Sequence, residues 1–246
     1  MRLRVLLAAA IAVVATLTVA YADNELFQVK PANFDPAHTF LVQSTWLTGI
    51  GCPTNPRIST DGKTTVAAAS DPACTTGDSR DKHNEGLLLV KTGPTGNFAS
   101  ATAALTGTPS HVTELGYDIR KSTAAITPNG SHCGAGAPRF DIVAQDGTDF
   151  FLGCNSPAAT SSTASQSWLR LRWSGPLLAF NSLTGVPTDV STLNVKSISI
   201  VFDEGTDTGP DFFGAAILDN IDVNGTLVGQ GRHGGDNGDN GDNGDS

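Results

Sequence analysis

The chain predicts an all-β fold: an antiparallel β-sandwich of jelly-roll type with long disulfide-held loops. Three observations carry this. Apolar residues recur at alternate positions in short runs and almost nowhere at helical spacing. About eight such runs are separated by turns rich in Gly, Pro, Asp and Thr, the pattern of a sandwich. Four cysteines, at 52, 74, 133 and 154, form an even set in a chain that opens on an export signal.

The signal comes first. Met1-Arg2-Leu3-Arg4 is a short basic start, Val5 to Val19 is almost wholly apolar, and Ala20-Tyr21-Ala22 is a small-x-small cleavage pattern. The apolar run is about 15 residues, short of the roughly 20 that a spanning helix needs. Residues 1–22 are therefore expected to be a signal peptide, with the mature chain starting at Asp23, secreted and without membrane insertion. Roughly 220 residues remain, enough for one large sandwich with a sizeable core.

The first strand is expected around Phe40, Val42 and Trp46, with Gln43 and Thr45 on its other face. Residues 54–85 read as long loops. Leu87 to Lys91 is a short apolar strand, closed by a turn at 92–97. From Phe98 to Leu105, Ala99, Ala101, Ala103 and Leu105 share one face. Leu115, Tyr117 and Ile119 alternate with Gly116, Asp118 and Arg120. Residues 140–145 and 148–152 flank Asp146-Gly147, which predicts a hairpin with a two-residue type I′ turn. Leu169, Leu171 and Trp173 form the inner face of the next strand. Val195 to Phe202 and Phe213 to Val223 close the fold, and Ile217, Asp219, Ile221 and Val223 are placed on one face of the last strand. Segments 54–85 and 155–166 are expected to lie over the ends of the sandwich. No repeat of 20–50 residues argues for a propeller or solenoid. The Gly-Asp-Asn triplets of 232–246 have nothing apolar to bury and read as a disordered tail. A calcium-binding repeat is the alternative there, but it requires an apolar residue in each turn and the tail has none.

The close cysteine pairs, Cys52–Cys74 and Cys133–Cys154, are the economical disulfides. Zinc is excluded by the lack of C-x-x-C spacing. The formal net charge is −9, with 15 Lys and Arg against 24 Asp and Glu. Such a surface repels phosphate backbones and excludes nucleic acid as a partner. No H-E-x-x-H or G-x-S-x-G motif is present. Ser131-His132-Cys133 puts a nucleophile beside a base only in sequence, because neighbouring strand residues point apart. Acidic residues such as Asp141, Asp149, Asp189 and Asp203 could form a glycosidase pair, but the sequence does not choose one. The residues thus lean away from an enzyme.

From Trp168 to Gly225 the chain resembles jelly-roll carbohydrate-binding modules of the galactose-binding-like group. The likeness rests on a Trp-bearing strand, a strand ending Ile198-Ser199-Ile200-Val201-Phe202, and the closing Ala216-Ile217-Leu218-Asp219-Asn220-Ile221-Asp222-Val223-Asn224-Gly225. The rest of the chain looks more like uncharacterised secreted bacterial proteins. The resemblance implies a non-catalytic module for a polysaccharide or cell-surface glycan, with a structural calcium held at Asp219; the alternative there is a hydrogen-bonded Asp on a strand near a sheet end. The acidic loop Asp203, Glu204, Asp207 and Asp211 is a second calcium candidate, its alternative being a solvated hairpin tip. Two other classes stay open: an adhesive or structural extracellular protein, and a polysaccharide-acting enzyme.

The expected ligand platform is Trp168 with Arg170 and Arg172, which share the strand face opposite Leu169, Leu171 and Trp173. An indole stacks on a sugar ring, and guanidinium groups pair with hydroxyls or uronic carboxylates. The alternative is that a loop covers Trp168 and the arginine stems pack beside it.

Overall fold

The computed structural model describes residues 26–53, 71–93, 98–121, 137–154, 156–165, 167–203 and 214–231. The expected leader, the tail, Cys133, Asp207 and Asp211 lie outside these residues. In chain order the strands are β1 (Gln28–Phe34), β2 (Val42–Leu47), β3 (Gly86–Lys91), β4 (Ser100–Thr106), β5 (Glu114–Lys121), β6 (Arg139–Ala144) and β7 (Asp149–Gly153). They continue with β8 (Ser161–Ala164), β9 (Leu169–Ser174), β10 (Leu178–Asn181), β11 (Pro187–Asp189), β12 (Val195–Phe202), β13 (Gly214–Val223) and β14 (Thr226–Val228). A 3-10 turn, Val190–Thr192, is capped by the Asp189 side chain, which accepts from Ser191 N–H. No helix among the described residues is long and apolar enough to cross a membrane.

The strands form two antiparallel sheets. The first runs β1-β4-β12-β6-β7-β10-β11 and the second β2-β3-β13-β5-β9-β8, with β14 paired to the end of β13. The chain crosses repeatedly between sheets, and the last two long strands, β12 and β13, insert into the middle of one sheet each. That is the jelly-roll order expected from the sequence. The alternating residues meet between the sheets. Ala101, Ala103, Phe140, Ile142, Ile198, Ile200 and Phe202 come from one side, and Leu87, Leu89, Leu115, Tyr117, Ile119, Leu169 and Leu218 from the other. Tyr117, Phe140 and Trp173 form an aromatic trio with ring centroids 5.4–6.2 Å apart. The buried Tyr117 hydroxyl is satisfied by donating to the Pro138 carbonyl at 2.9 Å.

Four expectations need correction. More strands are present than the eight read from the sequence, because β1, β8, β10, β11 and β14 are short or polar. Phe40 precedes β2 with a left-handed φ of 57°, and is 87% exposed rather than inward. At the β6–β7 hairpin only Gly147 has positive φ, and Ala144 N–H donates to Thr148 O while Gly147 N–H donates to Ala144 O. This is a three-residue loop with its glycine left-handed, not a type I′ turn, which would need Asp146 left-handed as well. Finally, β13 does not keep one face from Ile217 to Val223. Its register with β5 shifts between Asp219 and Asp222, and Asn220 takes φ 45°. This bulge turns Ile221 and Val223 into the core while Ile217 and Asp219 stay on the outer face.

Candidate functional site

The outer faces of the two sheets differ. That of the second sheet is roofed by the segment before β3. The Cys52–Cys74 disulfide pins this cover, with Cα atoms 5.8 Å apart across 22 residues of sequence. Cys154 is also disulfide-bonded, and its expected partner lies outside the described residues. Under the cover, Trp168 packs with Cys52, Ala73, Cys74 and Ile217 and is only 2% exposed. An indole so enclosed cannot stack on a sugar, so the platform expectation gives way to the covered one.

Arg170 is likewise committed. Its Nε and Nη2 each donate to one oxygen of Asp118 at 2.7 Å. Its Nη1 donates to Thr75 Oγ1 and Thr76 Oγ1, at 2.8 and 3.0 Å, and Nη2 also donates to the Thr76 carbonyl. Arg172 pairs with Asp222 at 2.9 Å and lies 3.5 Å from Asp118. Asn220, brought outward by the bulge, donates to Asp118 and accepts from Asp78 N–H on the cover. Of the residues predicted to hold a ligand, Trp168 and Arg170 instead tie the cover to the sheet, and Arg172 is engaged by acids of the sheet itself.

Asp219 lies opposite Asp118 in the β13–β5 pairing and is 1% exposed. Burial, and then the charge of Asp118, raise its carboxyl far above the usual carboxylate range. Its oxygens accept from Cys52 N–H, at 2.6 Å, and from Asn220 N–H. Nearby acids are also aimed at N–H groups: Asp81 accepts from His83 and Glu85, Asp78 from Arg80 and Gly229, and Glu85 from Gly231. Donors converging on these carboxyl oxygens satisfy part of each acid's accepting capacity, since an ionised carboxylate offers about four acceptor sites. Cys52, Cys74 and Asp118 also offer donor atoms within 4.8 Å of one another, but the two sulfurs are bonded to each other. Asp203 belongs to a different place: its Oδ2 accepts from Arg139 Nη1 at 2.7 Å.

That contact leads to the outer face of the first sheet, which no described loop roofs. A groove of about 610 Å³ crosses β1, β4, β12 and β6. Strand register explains its floor. Ala32 pairs with Thr102, Thr102 with Val201, and Val201 with Arg139; one pleat over, Ala104 pairs with Ser199 and Ser199 with Asp141. The floor is thus small and polar. Its rim is aromatic and charged: Phe34 is 56% exposed and Phe98 87% exposed, with Lys91, Arg139, Asp141 and Asp203 beside them. Arg139 donates to Asp141 at 2.8 Å and to Asp203, and its guanidinium lies 4.9 Å from the Phe151 ring centroid. Burial pushes Asp141 up to about 6, more than Arg139 pulls it down.

Sequence reasoning named Asp141 only as an unassigned carboxylate, named Asp203 as one such carboxylate and as a calcium candidate, and overlooked Phe34, Phe98 and Arg139 as site residues. The signal was available for two of them. Phe98 has the same parity as the polar Ser100 and Thr102, and Arg139 that of Asp141, so an aromatic and a cation were already assigned to outward faces.

No family model matches the chain, and no curated protein matches it in sequence. Among solved structures, it is similar to the family 11 carbohydrate-binding module of the cellulosomal cellulase Lic26A-Cel5E of Clostridium thermocellum, with 12% identity over 85% of this chain and 91% of that one, at a TM-score of 0.38. It is also similar to the family 11 carbohydrate-binding module from Clostridium thermocellum in complex with a β-1,3-1,4-mixed-linked tetrasaccharide, with 14% identity, coverage of 84% and 91%, and a TM-score of 0.36.

Proposed function

We propose that this chain is an exported, non-catalytic module that binds polysaccharide in the groove on the outer face of the first sheet. One observation carries the reading: the groove, roofed by none of the described loops, places solvent-facing Phe34 and Phe98 beside the Arg139–Asp141–Asp203 cluster. Exposed aromatic rings with no packing partner cost free energy in water and mark binding surfaces. A sugar ring offers C–H groups to an aromatic face, and its hydroxyls match a rim of guanidinium, ammonium and carboxylate groups. The small floor residues let an extended chain lie close to the sheet.

The test is affinity electrophoresis of the mature protein against a panel of neutral and acidic polysaccharides. Retardation by at least one polymer is expected, and Phe98→Ala should abolish most of it without unfolding the sandwich, since that ring packs on nothing. Retardation that persists in a Phe34→Ala/Phe98→Ala double variant would move the site elsewhere. Export is tested separately by mass spectrometry of the secreted product, which should begin at Asp23.

A further inference from the structure

Resting on that groove reading and deepening it, we propose that the groove is charge-gated by Asp141: it excludes carboxylate-bearing polysaccharides at neutral pH and admits them in mild acid.

The argument starts from Arg139, the one guanidinium among the described groove residues. An anionic sugar needs it, and it is occupied. Nε is held by Asp141 and Nη1 by Asp203, while its face rests on Phe151. The two holders differ. Asp203 lies just beyond β12 with its side chain 42% exposed, free to exchange its contact for water or ligand. Asp141 sits within β6, its side chain 22% exposed, and its strand position fixes it beside Arg139.

The charges facing Asp141 can be named strand by strand. Arg139 lies on its own strand and Asp149 on β7, one pleat away on the same face. Asp203 follows β12, and Lys91 at the end of β3 faces Asp203. Among the described residues two cations thus meet three carboxylates, so a uronate approaching Arg139 meets an excess of carboxylates there and a guanidinium already paired. The same cluster leaves a neutral chain its hydroxyl partners. Protonating Asp141 removes one negative charge and frees Arg139 from its fixed holder, which lets a ligand carboxylate take the place. Burial supports such a gate, because it holds Asp141 near 6 and raises Asp149 in the same direction.

The probes are polygalacturonate and a neutral β-glucan, titrated into the mature protein at pH 7.5 and pH 5 at fixed ionic strength. Polygalacturonate should bind about tenfold more tightly at pH 5, the size of one charge-assisted hydrogen bond gained. Wild-type affinity for the β-glucan should be nearly the same at both values. Asp141→Asn should bind polygalacturonate at pH 7.5 as wild type does at pH 5, with the pH response flattened. Asp149→Asn keeps the gate residue and should move the transition to lower pH, by removing a like charge. Equal polygalacturonate affinity at the two pH values, or a full pH response retained in Asp141→Asn, overturns the gate. If β-glucan binding is lost in Phe98→Ala while the acid response is flat, the gate alone fails. If neither polymer binds wild type at either pH, the groove reading falls with it.

Discussion

Arg170 meets Asp118 side-on, Nε to Oδ1 and Nη2 to Oδ2, both at 2.7 Å, across the pairing of β9 with β5. Asp118 is fully buried and Arg170 is 8% exposed. A pair this deep gains little over an apolar replacement of both partners, but removing one partner strands the other. Arg170→Ala should therefore cost about 3–5 kcal/mol of stability. The loss should include the cover, since Thr75 and Thr76 hang on the same guanidinium. Arg170→Lys cannot make the planar two-point contact and should recover only part. Denaturant titration measures the first effect, and limited proteolysis between residues 71 and 85 the second. A stable, protease-resistant Arg170→Ala variant would show that the cover is held by something else.

Gly51 and Gly229 flank Asp219, and neither has room for a methyl group. A Cβ at Gly51 would lie 2.1 Å from the Glu85 carbonyl oxygen and 2.8 Å from Asp219 Oδ2. One at Gly229 would lie 2.6 Å from Asp219 Oδ1. Backbone cannot retreat from a 2.1 Å overlap as a side chain can, so Gly51→Ala should be much the worse of the two. It should lower stability by more than the roughly 1–3 kcal/mol usual for an overpacked site. Equal melting temperatures for Gly51→Ala and wild type would mean that the cover sits further from Asp219 than described.

The inward faces were legible because alternation is a direct record of burial on one side. Ala99, Ala101, Ala103 and Leu105, and likewise Leu115, Tyr117 and Ile119, are all inside. The outward faces were not, because parity says only that a residue leaves the core, not what lies beyond. Trp168 and Phe98 carry the same signal, an aromatic on an outer face. One is roofed by a loop 94 or more residues earlier in sequence and the other is open, and only the pairing of long-range partners separates them. The β13 bulge was hidden for a related reason. Asp219-Asn220 reads as ordinary alternation, and the left-handed Asn220 that breaks it is stabilised by Asp118 and Asp78, neither of which is near in sequence.

The Cys52–Cys74 disulfide closes a loop with a sequence separation of 22. In the chain-entropy account such a loop contributes about 3 kcal/mol. The double variant Cys52→Ser/Cys74→Ser should lose about that much, with one further sign. Trp168 packs against both cysteines, so its fluorescence should shift to the red as water reaches the ring. The three tryptophans complicate the spectrum, and the same comparison in a Trp168→Phe background should show no such shift. Reduction that leaves emission and stability unchanged would separate the disulfide from the cover.

Acid should first stabilise this protein, and then destabilise it. Burial is the leading cause that places Asp81, Asp141 and Asp222 near 6, against 3.8 for an ordinary aspartate, and it raises Asp219 in the same direction. Between those values the folded chain binds more protons than the unfolded chain, so unfolding becomes harder as pH falls from above 6 toward 4. Above the folded values all four acids are charged in both states, and the fold bears the full cost of burying them. The opposite group lies nearer the surface: Asp35, Asp146 and Asp189 accept hydrogen bonds from Thr39, Thr148 and Ser191 and are held below 3.8. Their contribution is present above 3.8 and is lost as pH falls through their lowered values. The gain runs out and the loss begins at about pH 4 and below, where stability should peak. Melting temperatures at pH 7.5, 6, 5 and 4 should rise, by about 3 °C for each kcal/mol gained, and turn over only below about pH 4. Asp222→Asn should blunt the rise, because it removes one of the titrating groups. A melting temperature that falls steadily from pH 7.5 to pH 5 would mean that these carboxyls stay ionised in the fold, with counter-charges closer than Arg139 and Arg172 provide.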